Sequence, residues 1–171
     1  METPVLYTNR LVLRPFVYED AYDVFSYCSS PTVTKYLFWL PHRKVEDTQR
    51  ILATWIKKKR NYSWAITKEN RVIGEINCIK NLEGDGLEVG YILKDSFWGT
   101  GIMKEALSRV IEFLKSEGFF YLLAEVDVTN LASINLLNSL GFVQNDGLIQ
   151  KTIAKTKKEV LICSFRLSLL L

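Results

Sequence analysis

Histidine and cysteine are scarce in this chain. Its 171 residues include one histidine, His42, and three cysteines, Cys28, Cys78 and Cys163. The cysteines lie far apart in apolar surroundings and form no CxxC pair, which argues against a zinc site. Their odd number, with no basic leader at the N-terminus, points to a reducing, cytoplasmic setting. A lone histidine is ordinarily structural or exposed, so His42 has little claim on the chemistry. Long apolar runs are also missing. The last dozen residues are apolar but contain Arg166 and are too short to span a bilayer; they read as a buried strand, and no membrane partner is expected. Strong charge is absent too, with a formal net charge of +3. The lysine clusters Lys57 to Lys59 and Lys155, Lys157 and Lys158 lack interleaved aromatics, so no nucleic-acid partner is expected. Finally, no GxxxxGK[ST] run occurs, which excludes a Walker A loop.

What remains is the composition of a globular protein, 48% hydrophobic and 24% charged. The length suits a single domain over 1–171. Strands are expected at Leu6 to Phe16, Tyr62 to Thr67, Arg71 to Ile79, Leu87 to Leu93, Tyr121 to Val128, Phe142 to Gln150 and Glu159 to Leu170. Apolar residues at helical spacing predict helices at Glu19 to Cys28, Val45 to Arg60, about Ile102 to Leu114 and Asn130 to Leu140. The polar turn Lys68 to Asn70 and the loop Glu83 to Gly86 separate the middle strands. The order β-α-α-β-β-β-α-β-α-β-β predicts an α/β (α+β) fold with a mixed, mostly antiparallel twisted sheet of about seven strands and about four helices on its two faces.

The stretch Phe97 to Leu107, F-W-G-T-G-I-M-K-E-A-L, organises the rest. Gly99 and Gly101 end an extended segment and open an amphipathic helix that stops at Gly118. A glycine turn at a helix start exposes unpartnered N–H groups at the positive end of the dipole, which suits a phosphate. A dinucleotide fingerprint would need GxGxxG early in a βαβ unit. Here the turn is mid-chain, which argues against nicotinamide or flavin chemistry.

The segments L-E-V-G-Y-I-L, F-W-G-T-G-I-M-K-E-A-L and A-E-V-D-V-T-N-L-A-S-I-N-L-L-N-S-L-G-F resemble the Gcn5-related N-acetyltransferase (GNAT) superfamily. T-N-R-L-V-L-R-P-F with E-D-A, and W-L-P-H-R-K-V-E-D-T-Q, resemble its RimJ and RimL branch, which acetylates ribosomal-protein N-termini. The resemblance covers nearly the whole chain. It implies acetyl-CoA as cofactor, no metal, and a primary amine as acceptor. Transfer is then direct in a ternary complex, by a monomer or a homodimer supported by an exposed C-terminal strand.

By that resemblance the pyrophosphate loop is Trp98, Gly99, Thr100, Gly101, Ile102 and Met103. Trp98 and Met103 depart from the usual polar first and small last residues. Contacts there are mostly to backbone N–H groups, and Gly101 is the position where a Cβ would crowd a phosphate. The strand Val89 to Leu93 is expected to splay from its neighbour. The pantetheine arm then pairs with Tyr91, Ile92 and Leu93, and the N–H of Tyr91 or Ile92 faces the thioester oxygen. Gly90 marks a bulge or a close approach there, or simply a weak strand interior.

Glu88 is the first choice for general base, directly or through water; Glu75 and Glu125 are weaker choices on other strands. Asn130 reads as a helix N-cap. The resemblance places it on the pantetheine and places Ser133 near the sulfur as a proton relay. Many relatives have a tyrosine acid where this chain has Leu137, so Ser133, or release without a dedicated acid, must serve. The acceptor is expected near the aromatic loop, with Phe38 and Trp39 as binding residues. A protein N-terminal α-amine is the first reading. A small amine (polyamine, amino acid or aminoglycoside) is the rival, weakened for polyamines by the lack of a dense acidic run. A non-catalytic CoA-binding or interaction domain is the rival from outside enzymology.

Overall fold

Thr8, Asn9 and Arg10 reverse the chain where the sequence pattern had suggested one continuous strand. In a computed structural model that describes residues 2–57, 62–80, 86–153 and 157–170, β1 (Leu6–Tyr7) and β2 (Val12–Arg14) pair antiparallel around this turn. The Thr8 N–H donates to the Leu11 carbonyl and the Leu11 N–H donates to Thr8 Oγ1, each over 3.0 Å. A polar turn satisfies its own backbone in this way, leaving Leu6, Leu11 and Leu13 to bury. Lys58, Lys59, Arg60, Glu83 and Lys155, which figured in the expectations above, lie outside the described residues.

Two helices follow, α1 (Ala21–Cys28) and α2 (Val45–Lys57). Then come β3 (Tyr62–Lys68), β4 (Arg71–Lys80) and β5 (Gly86–Leu93). Glu69 and Asn70 both take positive φ, 51° and 62°, as a two-residue hairpin turn requires. Beyond the glycine turn lie α3 (Ile102–Ser116), β6 (Tyr121–Asp127) and α4 (Leu131–Ser139). The last expected pair of strands is three: β7 (Val143–Gln144), β8 (Ile149–Ile153) and β9 (Lys158–Ser168). Gly147, at φ +87°, turns the chain between β7 and β8, and the Asn145 N–H bonds the Ser164 carbonyl over 2.9 Å.

The strands form one sheet of order β1-β2-β3-β4-β5-β6-β9-β7, with β8 also on β9. All neighbours are antiparallel except β5 and β6. β9 is therefore interior, flanked by β6 on one side and by β7 and β8 on the other. It is not the exposed strand on which a dimer was expected to build, because both its edges are already hydrogen-bonded.

Period-two alternation divides side chains between two cores. One face packs Trp64, Leu87, Val89, Leu93, Leu122 and Val126 against α3, through Ile102, Ala106, Leu107, Val110 and Leu114, and against Leu137 of α4. The other packs Ala65 and Val72 against Val24, Tyr27 and Leu52 of α1 and α2. Burial of each large apolar side chain contributes about 1.5–3 kcal/mol, so the sheet is held from both sides. All three cysteines are free and buried. Among the described residues no helix is long and apolar enough to cross a membrane, and no group of side chains is arranged to hold a metal ion.

Candidate active site

The site begins where β5 and β6 part. Among the described residues, parallel pairing runs from Gly86 opposite Tyr121 to Glu88 opposite Leu123 and stops there. β5 continues on its other edge, bonded to β4, as far as Leu93 opposite Gly74. β6 meanwhile stays with β9 out to Asp127. The edge of β5 from Val89 to Leu93 is left facing a gap.

Which backbone groups face that gap follows from one bond. The Lys94 N–H donates to the Ile73 carbonyl of β4 over 2.8 Å. Alternation along an antiparallel strand then turns the backbone of Ile92 and Gly90 toward β4, and that of Tyr91 and Val89 into the gap. Of the two expected thioester-facing groups, it is the Tyr91 N–H that stands on the open edge. Gly90 marks no bulge: the β4–β5 register is continuous through Asn77 opposite Gly90, and a Cβ at Gly90 would meet open space.

The glycine turn lies at the end of this edge. Gly99 and Gly101 take φ +73° and +76°, the left-handed region where other residues are strained. Gly101 is the N-cap of α3, and the Glu105 N–H is bonded to its carbonyl over 3.0 Å. The N–H groups of Ile102, Met103 and Lys104 precede the first intrahelical bond and are those that α3 offers outward. A Cβ at Gly101 would meet only Arg10 Nη2, at 3.7 Å, so backbone conformation, not crowding within the chain, demands glycine. The Thr100 hydroxyl donates to the Phe97 carbonyl (2.6 Å), and Trp98 Nε1 donates to the Leu93 carbonyl (2.8 Å). Trp98 thus ties the turn to the end of β5.

Turn and open edge share a cavity of about 410 Å³. Tyr91, Ile92, Leu93, Trp98, Gly99, Gly101, Ile102, Met103, Asn130 and Ser133 all line it, so ten of the expected cofactor residues are brought together. Asn130 caps α4, its Oδ1 accepting from the Ser133 N–H over 3.3 Å. Leu137 is fully buried in the core. The far wall comes from the α1–α2 connection, but through Thr32, Val33, Tyr36 and Leu37, not Phe38 and Trp39. Phe38 points to solvent, and Trp39 turns inward against His42, with ring centroids 4.9 Å apart. The Tyr36 hydroxyl donates to the Thr129 carbonyl over 3.3 Å, joining this wall to the loop before α4.

Glu88 stands at the fork, on the opposite face of β5 from Tyr91 and outside the cavity lining. Its side chain is exposed, yet partial burial raises its carboxyl above the usual range. Glu125 adds to the rise, and Lys151, ion-paired with Glu125, opposes it. Glu75 is different in kind: 2% exposed, it accepts from the Tyr27 hydroxyl (2.9 Å) and Asn77 Nδ2 (3.1 Å), and burial pushes it up to about 7. Burial and these two partners close Glu75 off, and it does not line the cavity.

Arg10 is a residue the sequence pattern did not single out. From the β1–β2 turn its Nε donates to Glu105 Oε2 (2.7 Å) and its Nη1 to the Thr100 carbonyl (3.1 Å). No local signal links positions ninety apart.

Residues 10–143 match the family model described as Acetyltransferase (GNAT) domain. The uncharacterized N-acetyltransferase p20 of Bacillus licheniformis is 37% identical over 159 residues, covering 88% of this chain and 86% of its own length. The crystal structure of an acetyltransferase (GNAT family) from Bacillus anthracis superposes with a TM-score of 0.87 at 20% identity, covering 97% of this chain and 99% of its own. RimL, the ribosomal L7/L12 alpha-N-protein acetyltransferase solved in complex with coenzyme A, gives 0.83 at 17%, covering 96% and 98%. At such identities the structures speak for the fold, while the family model and the first relative speak for descent. The chain belongs to the GNAT acetyltransferase family and is an N-acetyltransferase.

Proposed function

We propose that this enzyme moves an acetyl group from acetyl-CoA to a protein N-terminal α-amine, by direct transfer in a ternary complex. The fork carries the reading: an unpaired strand edge runs from a glycine-capped helix start to a carboxylate. The coenzyme A bound to RimL supports the choice of cofactor, and RimL's own substrate supports the choice of acceptor.

The residues fit that cofactor. The outward N–H groups of α3 and the left-handed Gly99–Gly101 turn suit a pyrophosphate. The Val89–Leu93 edge suits the amides of a pantetheine arm. When bound, acetyl-CoA supplies an activated acyl carbon and a thiolate leaving group. The fixed Tyr91 N–H stabilises negative charge on the acyl oxygen, a contribution of about 3 kcal/mol for such a donor. Glu88 takes the proton of the incoming amine through water, since it stands across the strand from the cavity. An α-amine has a pKa near about 8, against about 10.4 for lysine. It is partly neutral at cell pH, and a carboxylate raised above its usual range suffices as base. Ser133, at the start of α4, serves the sulfur end.

Release of free thiol from acetyl-CoA tests this with three acceptor sets: peptides with free N-termini, the same peptides N-terminally blocked but carrying lysine, and polyamines with free amino acids. Turnover confined to free N-termini is the expected result. Small amines outrunning every peptide at equal concentration would overturn the choice of acceptor.

A further inference from the structure

Tyr91 contributes a backbone group to the open edge, but its side chain raises a separate question. The ring stands on the α3–α4 face of β5, between Val89 and Leu93 on that face, and lines the cavity with Ser133. Among the described residues its hydroxyl is the one buried side-chain polar atom without a hydrogen-bond partner. A buried hydroxyl is ordinarily satisfied, and one left alone costs stability that phenylalanine would not. Burial raises its pKa above the ordinary tyrosine value, so the oxygen keeps its proton through the neutral range. Ser133 acts in the opposite direction. It is near enough to influence the phenol, yet outside hydrogen-bond geometry.

A protonated phenol can donate. A serine hydroxyl that accepts at Oγ has its own O–H directed elsewhere. Ser133 lines the cavity, which gives its hydroxyl an open direction there. We propose that the Tyr91 hydroxyl is a positioning residue for Ser133: it donates to Ser133 Oγ when the site is occupied and so turns the serine O–H toward the sulfur of the bound thioester. As the carbon–sulfur bond breaks and its electron pair passes to sulfur, the serine proton moves to sulfur. Ser133 regains a proton from solvent, and the tyrosine proton stays on its oxygen. This rests on the acetyl-CoA reading above and adds a residue to it. It also explains why a core leucine, Leu137, is tolerated where many relatives have a tyrosine acid.

The test compares wild type, Tyr91→Phe, Ser133→Ala and the double variant. Binding of CoA and of desulfo-CoA, which lacks the thiol, is read by calorimetry, and turnover is read separately. Tyr91→Phe should lower kcat about tenfold with KM for acetyl-CoA nearly unchanged, and its thermal midpoint should equal or exceed that of wild type. The double variant should lose no more than the worse single variant. Wild type should prefer CoA over desulfo-CoA, and either single substitution should erase that preference. Additive losses in the double variant, or a wild-type preference retained by Tyr91→Phe, would overturn the proposal alone. Wild-type protein that binds neither ligand would overturn the cofactor reading and this inference with it.

Discussion

The Arg10 guanidinium donates to the Thr100 carbonyl over 3.1 Å while its Nε is held by Glu105 over 2.7 Å. One residue of the N-terminal hairpin therefore grips both the glycine turn and the first turn of α3. Thr8 completes the arrangement, its hydroxyl donating to the other Glu105 oxygen over 2.6 Å. The turn that offers its N–H groups outward is thus braced from a strand pair at the far end of the sequence.

An exposed ion pair contributes little to stability, about 0–1 kcal/mol, and the Arg10 side chain is 44% exposed. A binding loop is more sensitive, because freedom regained in the unbound state must be given up on binding. Arg10→Ala should therefore leave the thermal midpoint nearly unchanged yet weaken CoA binding about tenfold, or about 1.4 kcal/mol. Arg10→Lys should recover only part of this, since an ammonium lacks the planar fork. Calorimetry decides it; undiminished affinity in Arg10→Ala would show that the brace is idle.

Gly101→Val should act through backbone strain. At φ +76° an L-residue costs about 1–2 kcal/mol, and a Cβ there has room. The variant should fold with a modest loss of stability and bind CoA far more weakly, because relieving the strain moves the N–H groups of α3. Full CoA affinity in a folded Gly101→Val protein would remove the turn from the cofactor site.

The helices and the central strands were legible because their signals are local. Ile102, Ala106, Val110 and Leu114 bury one helical stripe, and Trp64 and Ile66 alternate with residues of the opposite face. The two turns that split expected strands were less so. Thr8 to Arg10 and Asn145 to Gly147 are short polar breaks in otherwise strand-like runs, and propensity alone averages across them. The residues that gather around the cavity were legible as a group because most of them lie in two short stretches, 91–93 and 98–103. The cavity wall from the α1–α2 connection was not: Tyr36 and Leu37 line it, while the neighbouring Phe38 is exposed and Trp39 packs on His42, a choice made by tertiary packing and not by residue type. Arg10 and the Tyr91–Ser133 relation depend on contacts across the chain, for which one sequence holds no periodicity.

The fork also predicts a pH dependence. If Glu88 is the base, turnover rises as Glu88 loses its proton, and the low-pH limb of kcat/KM reports its raised pKa. Glu125 pushes that pKa up and Lys151 pulls it down. Glu125→Gln should accordingly move the limb to lower pH, and Lys151→Gln should move it to higher pH. Opposite shifts, or none, in pH profiles of the two variants would take the base role away from Glu88; so would a Glu88→Gln enzyme with an unchanged profile.

Glu75 should govern stability rather than rate. Burial pushes its folded-state carboxyl up to about 7 from an ordinary 4.5, outweighing the bonds from Tyr27 and Asn77. Between those values the folded protein keeps a proton that the unfolded chain releases. Stability from this group is therefore full below about 4.5 and declines as pH rises toward 7. The decline is on the order of 3 kcal/mol at 1.36 kcal/mol per unit. Glu75→Gln keeps the shape of the side chain and cannot ionise. In urea unfolding at several pH values, the difference in stability between Glu75→Gln and wild type should grow in favour of the variant from pH 5 to pH 8. A difference that stays constant over that range would mean that Glu75 is ionised at low pH within the folded protein, held by Tyr27 and Asn77 more strongly than burial resists.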